Sequence, residues 1–240
     1  MNIFGFNWRI GRHWGVVHPE HNCWNDDISV KIEDNRLYLG IDYDPVTFAD
    51  YGRKEYSVGY VSSIDTIKYG HLKVEYILPI GRNLWPAIWL TDARTWPPEI
   101  DIMEAWSNHY FCKALTPKAP ARTYRRNPFA NSIFPSLHLG STPSEHVNKS
   151  YTKLGGSPSC YIDVMNTNTC DLWWADKRIV VEYNGHKMMD VKDSSILEHF
   201  NHSMGMEIHL NNYITNGFTH TDLVDLDRNN FIIQNLIYEQ

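Results

Sequence analysis

The run His71-Leu72-Lys73-Val74-Glu75-Tyr76-Ile77-Leu78 alternates polar and apolar residues with a period of two. Only an extended strand turns that pattern into one buried and one solvated face. The chain repeats this signal and nowhere sustains a helical one. Ile28 to Ile32, Leu37 to Ile41, Tyr56 to Ile64, Leu84 to Leu90 and Glu99 to Trp106 read as strands. So do Ser136 to Leu139, Cys170 to Trp174, Arg178 to Tyr183, Met206 to Leu210 and Phe231 to Tyr238. Asn184-Gly185 is the strongest hairpin turn, because both residues tolerate positive φ. Ser194 to His202 has room for one or two helical turns. Many short strands at regular spacing predict an all-β sandwich or barrel. At 240 residues one such domain is sufficient, and no boundary divides residues 1–240. His109 to Asn131, basic and containing several prolines, reads as an elaborated loop because strands resume after it.

Charge narrows the possible partners. Lys and Arg number 22 against 28 Asp and Glu, a net charge of -6. No basic face able to grip a phosphate backbone follows from those counts, so no nucleic-acid partner is expected. No apolar run reaches the roughly 18 residues of a membrane span. The four cysteines include Cys160 and Cys170, readable either as a short-range bridge or as buried thiols; Cys23 and Cys112 stand alone. The 9 Trp and 14 Tyr fit two readings, platforms for the C–H faces of sugars or filler of a large β core.

The chemistry is concentrated in Glu99-Ile100-Asp101-Ile102-Met103-Glu104. In a strand, Glu99 and Asp101 share one face while Ile100 and Ile102 enter the core. Glu104, five residues after Glu99, falls on the wrong face unless a bulge at Ile102-Met103 adds one residue. With that bulge, three carboxylates line one surface, each raising the pKa of its neighbours. Retaining glycoside hydrolysis uses such a set: an ionised nucleophile, a protonated acid and a third group that holds their pKa values apart. A solvated acidic edge is the alternative reading of the string by itself.

Upstream lie Leu84-Trp85-Pro86-Ala87-Ile88-Trp89-Leu90 and Trp96-Pro97-Pro98. Downstream lie Leu137-His138-Leu139-Gly140 and Leu172-Trp173-Trp174-Ala175-Asp176. Together these resemble glycoside hydrolase family 16, with its W-P-A-x-W strand followed by E-x-D-x-x-E. The resemblance runs over nearly the whole chain. It implies a jelly-roll β-sandwich of the concanavalin A type, two curved antiparallel sheets with a cleft on the concave face. It implies endo-acting hydrolysis of a β-linked polysaccharide with retention, Glu99 being nucleophile, Asp101 its partner and Glu104 the acid/base. Trp85 and Trp89 would stack on sugars and His138 would sit near the cleaved bond, with Trp174 and Asn211 as further substrate contacts. The bulged motif belongs to the branches that include β-1,3-glucanases and red-algal galactan hydrolases, so both substrates are expected candidates. A lectin-like module and a transglycosylase are the alternatives on the same fold.

Arg122, Arg125 and Arg126 in the long loop could meet sulfate groups of an anionic polymer, or simply be solvated. The closing strand of the family often carries an Asp that binds calcium; here that place reads Ile233 or Gln234, so no cofactor is required and a structural calcium stays open. A monomer is expected, with polysaccharide as its only partner. A polymer substrate implies a secreted or periplasmic protein whose signal is absent from Met1 to His21.

Overall fold

The computed structural model describes residues 1–106, 132–140, 142–150, 162, 166–222 and 229–240. Among these, the protein is built from three sheets and one short α-helix. The largest sheet has the order β1 (Asn2–Ile3), β2 (Phe6–Ile10), β8 (Tyr60–Ile67), β17 (Met206–Ile214), β10 (Leu84–Asp92), β11 (Glu99–Trp106), β12 (Ser132–Leu139), β13 (Val147–Ser150). The second has the order β16 (His186–Val191), β15 (Arg178–Tyr183), β14 (Asn168–Ala175), β9 (Gly70–Ile77), β18 (Phe231–Glu239), β5 (Arg36–Leu39), β4 (Val30–Glu33). All pairs in these two sheets are antiparallel. A small flanking sheet joins β3 (Cys23–Asn25), β7 (Gly52–Val58) and β6 (Ile41–Phe48), with β3 and β7 parallel.

The core lies between the two large sheets and is supplied by the period-two pattern. On β9, Leu72, Val74 and Tyr76 are buried while His71, Lys73 and Glu75 face outward. Ile88, Leu90, Ile100, Ile102 and Leu210 meet them from the other sheet as one continuous cluster. A second cluster of Tyr56, Val58, Tyr60, Tyr213 and Phe218 ties the flanking sheet to the large one, with Trp85 and Trp89 packed on it.

Several expected boundaries move. Tyr56 to Ile64 is two strands, broken at Gly59, where a Cβ would stand 2.5 Å from both Leu39 Cα and Ser29 O. That close backbone approach, not a local propensity, is why the chain turns there. The strand expected from Ile28 begins at Val30, after a 3-10 turn capped by Asp26. Asn184-Gly185 turns the β15–β16 hairpin with both φ values positive. The helix α1 (Ser194–Asn201) is started by the Asp193 side chain, which accepts from the Ser195 N–H. Cys23 and Cys170 are buried free thiols; Cys112 and Cys160 lie outside the described residues.

Candidate active site

Strand β11, which carries Glu99, Asp101 and Glu104, lies between β10 and β12, and its pairing slips at the expected place. Asp101 faces Ser136 and Glu104 faces Phe134, so the two residues Ile102 and Met103 stand against Pro135 alone. The extra residue puts Ile100, Ile102 and Met103 into the core. Glu99, Asp101 and Glu104 share polar partners on the opposite side.

A bulge leaves a backbone group outside the ladder. Here the Ile102 carbonyl accepts a hydrogen bond of 2.7 Å from the hydroxyl of Tyr183, which reaches across the core from the other sheet. Without it a buried carbonyl loses its partner, at a cost of about 1–3 kcal/mol. Tyr183→Phe should therefore lower the free energy of unfolding by that order, read from denaturant unfolding. It should also lower kcat, because the bulge sets where Glu104 points.

Each carboxylate has its own set of neighbours. Glu99 accepts from the Trp96 indole N–H at 3.0 Å and lies 3.4 Å from His138 Nε2. Asp101 is 2.9 Å from the same His138 nitrogen and accepts from the Ser136 hydroxyl. Glu104 accepts from the Trp85 indole N–H at 3.1 Å, and its other oxygen lies 3.3 Å from Ser136 Oγ. Ser136 thus links Asp101 to Glu104. On its far side, His138 Nδ1 lies 2.7 Å from His146 Nε2, with the two imidazoles stacked. Burial and the facing His138 hold His146 below the ordinary histidine range.

Burial, then the charges of Asp101 and Glu104, push the Glu99 carboxyl well above the usual range. Burial, then the charge of Asp101, do the same to Glu104. Trp96 opposes the shift on Glu99, and Trp85 and Ser136 oppose it on Glu104, because their N–H and O–H groups favour the ionised forms. Asp101 is thus a common source of upward pressure on both neighbours. Asp101→Asn removes that charge, so both limbs of the activity profile should move to lower pH. Initial rates across the pH range check this; limbs that stay in place would contradict it.

Two indoles form a platform beside the carboxylates. Trp89 stacks on the buried His209 at 4.1 Å between centroids, and its N–H donates to Asn211 Oδ1 at 2.7 Å. Asn211 in turn donates to the Trp85 carbonyl at 3.2 Å. Asn211 is itself buried, so it fixes the platform from beneath rather than facing an open cleft. Burial holds His209 well below the histidine range, and the Tyr60 hydroxyl lies 2.8 Å from its Nδ1.

Trp174 is not part of this site. It is buried in the core of the other large sheet against Tyr69. Strand parity gives the reason: Leu172 and Trp174 point inward on β14, and the outward residue is Trp173. Arg122, Arg125 and Arg126 lie outside the described residues. At the place where calcium-binding members carry Asp, Ile233 is buried and Gln234 Oε1 accepts from Thr167. Neither side chain is a carboxylate.

The structure adds groups that the sequence pattern did not flag. Trp14 is about half exposed and neighbours Trp89 and His209. His18 and His21 neighbour Trp85. The N-terminal segment therefore forms a wall along the indole platform. Only its density of His and Trp hinted at this, and no periodicity marks it.

No family model matches the chain. A curated relative, glucan endo-1,3-beta-glucosidase A1 of Niallia circulans, is 30% identical over 102 residues, covering 38% of this chain and 15% of that protein. The chain thus matches only a small part of that relative's length. A non-specific endo-β-1,3(4)-glucanase of family GH16 superposes with a TM-score of 0.68 at 18% identity, covering 97% of this chain and 87% of that one. Porphyranase B of Zobellia galactanivorans superposes with a TM-score of 0.69 at 15% identity, covering 96% and 84%. The protein has the β-jelly-roll fold of glycoside hydrolase family 16.

Proposed function

We propose that this protein is a retaining endo-glycosidase that hydrolyses a neutral β-1,3-linked glucan. The observation that carries this is the set of three carboxylates on one face of β11, with Asp101 joined to Glu104 through Ser136 and to His138 beside Glu99. Two carboxyl groups both pushed up by burial and by Asp101 do not ionise together easily. One proton then stays on the pair over a wide pH range.

In the first step, Glu99 as carboxylate attacks the anomeric carbon while Glu104 gives its proton to the departing glycosidic oxygen. The Trp96 N–H, fixed on Glu99, supports the ionised form that attacks. In the second step Glu104, now a carboxylate, takes a proton from water, and the water oxygen displaces Glu99. Both steps use carboxyl groups of the chain and need no cofactor. Trp85 and Trp89 would hold the pyranose rings in place, the rigid backing of Trp89 by His209 limiting the entropy lost on binding.

The test is reducing-sugar release from laminarin, mixed-linkage glucan, agarose, porphyran and carrageenans. Release from laminarin is expected. Release from porphyran alone would replace the glucan by a red-algal galactan, and binding without release would make the protein a lectin-like module.

A further inference from the structure

We propose a second, non-catalytic carbohydrate site on the outer face of the seven-stranded sheet, centred on Trp173 and holding a neutral glucan chain. The proposal rests on the reading of the protein as a polysaccharide-acting enzyme and adds a place for the polymer away from the carboxylates.

Trp173 points out of β14 and is 46% exposed, while its neighbours Leu172 and Trp174 are buried. It is held in one orientation. The His71 imidazole, its cross-strand partner on β9, stacks on the indole with centroids 3.5 Å apart and planes 4° from parallel. His71 Nε2 lies 2.8 Å from Asp171 Oδ1, which fixes the imidazole in turn. An aromatic ring locked in this way loses little freedom when a sugar ring settles on it.

The indole stands in an open groove of about 940 Å³, whose polar lining includes Asp176, Arg178, Glu182, Lys187 and Glu239. Cations on this face are already matched by anions. Asp190 takes both Arg178, at 2.8 Å, and Lys187, at 3.2 Å. Lys73 and Glu75 pair at 3.3 Å. With Asp176, Glu182 and Glu239 in the lining as well, anions outnumber cations on this face, so it does not draw a polyanion. It does offer a flat apolar ring among many hydrogen-bonding groups. That combination matches a neutral sugar, with its apolar C–H face and a rim of hydroxyls.

The groove and the catalytic strand belong to different sheets of the sandwich. One chain cannot stack on Trp173 and Trp89 without bending around the protein. The outer site would instead hold a second chain or a distant segment, raising the local concentration of polymer near the cleft. Its effect should therefore be largest on particulate glucan and absent on short soluble fragments.

Affinity electrophoresis in native gels containing laminarin tests this, comparing Glu99→Gln with Glu99→Gln/Trp173→Ala. The second variant should be retarded several-fold less. In the active enzyme, Trp173→Ala should leave kcat/KM on laminarihexaose unchanged and lower the rate on particulate curdlan several-fold. Trp173→Phe, which keeps a ring, should fall between. Equal retardation of the two variants overturns the site. So does a dimer in sedimentation that Trp173→Ala converts to monomer, since the face would then be a protein interface. Polymer binding through Trp173 without hydrolysis would overturn the catalytic reading and leave this site standing; hydrolysis with no effect of Trp173 would do the reverse.

Discussion

Glu99→Gln should abolish hydrolysis of the polymer, by a factor on the order of 10³–10⁶, while the protein folds and gains stability at neutral pH. The loss follows because an amide cannot form the glycosyl-enzyme bond, and removing a nucleophile leaves only the catalysis supplied by binding and the remaining groups. The amide keeps an oxygen to accept from Trp96, so the local hydrogen bonding survives. The gain in stability comes from the same crowding that serves the reaction. The folded-state pKa of Glu99 is raised, so the folded protein holds a proton that the unfolded chain would release. Stability tied to that proton is complete below the ordinary Glu pKa of about 4.3 and is lost as pH rises through the elevated value. Glutamine does not titrate. Thermal unfolding should therefore show little difference between the two proteins near pH 4 and a growing advantage for Glu99→Gln towards pH 8. A wild-type rate in the variant, or a stability gap that does not change with pH, would contradict the assignment.

Glu104→Gln should behave differently, and the difference separates the two roles. With a polysaccharide substrate the leaving group is a sugar hydroxyl, which needs a proton as it departs. Loss of a general acid costs about 10²–10⁴-fold. An aryl glycoside leaves as a stable phenolate, so its first step should be nearly spared. The second step lacks its base, and the glycosyl-enzyme on Glu99 should accumulate as a burst of phenol followed by slow turnover. Azide is already an anion and needs no base, so it should restore turnover and yield the β-glycosyl azide. The alkaline limb of the pH profile, which reports the proton on Glu104, should disappear. Equal losses on aryl and natural substrates, with no azide effect, would remove Glu104 from the acid/base role.

The strand that carries the three carboxylates was legible because two patterns in it conflict. Ile100 and Ile102 fix the core face, and Glu104 then has the wrong parity by one residue. A bulge resolves the conflict, and the pairing of Asp101 with Ser136 and Glu104 with Phe134 places it there. What holds the bulge was not legible, since Tyr183 lies 81 residues from Ile102 and nothing local marks the contact. The strand Leu172-Trp173-Trp174 has the opposite lesson. Two adjacent Trp residues must point to opposite faces, yet alternation alone does not say which face is the core. Pairing with β9, through Trp173 to His71 and Leu172 to Leu72, decides it and removes Trp174 from the cleft. Trp14, His18, His21 and His146 come from segments without a period, and their place at the cleft depends on contacts over long sequence separations, His146 with Trp96 among them. Asn211 was expected at the sugar; burial beneath Trp89 makes it a support for the platform instead.

The most direct test of the double displacement is the configuration of the first product. Proton NMR of the anomeric signals, followed from the first minutes of hydrolysis of a laminari-oligosaccharide, separates the two stereochemical outcomes before mutarotation mixes them. Attack by Glu99 and then by water inverts the anomeric carbon twice, so the β-anomer should appear first and the α-anomer only later. An α-anomer formed first would mean that water attacks directly, with Glu99 acting as its base, and would contradict the covalent role assigned to Glu99.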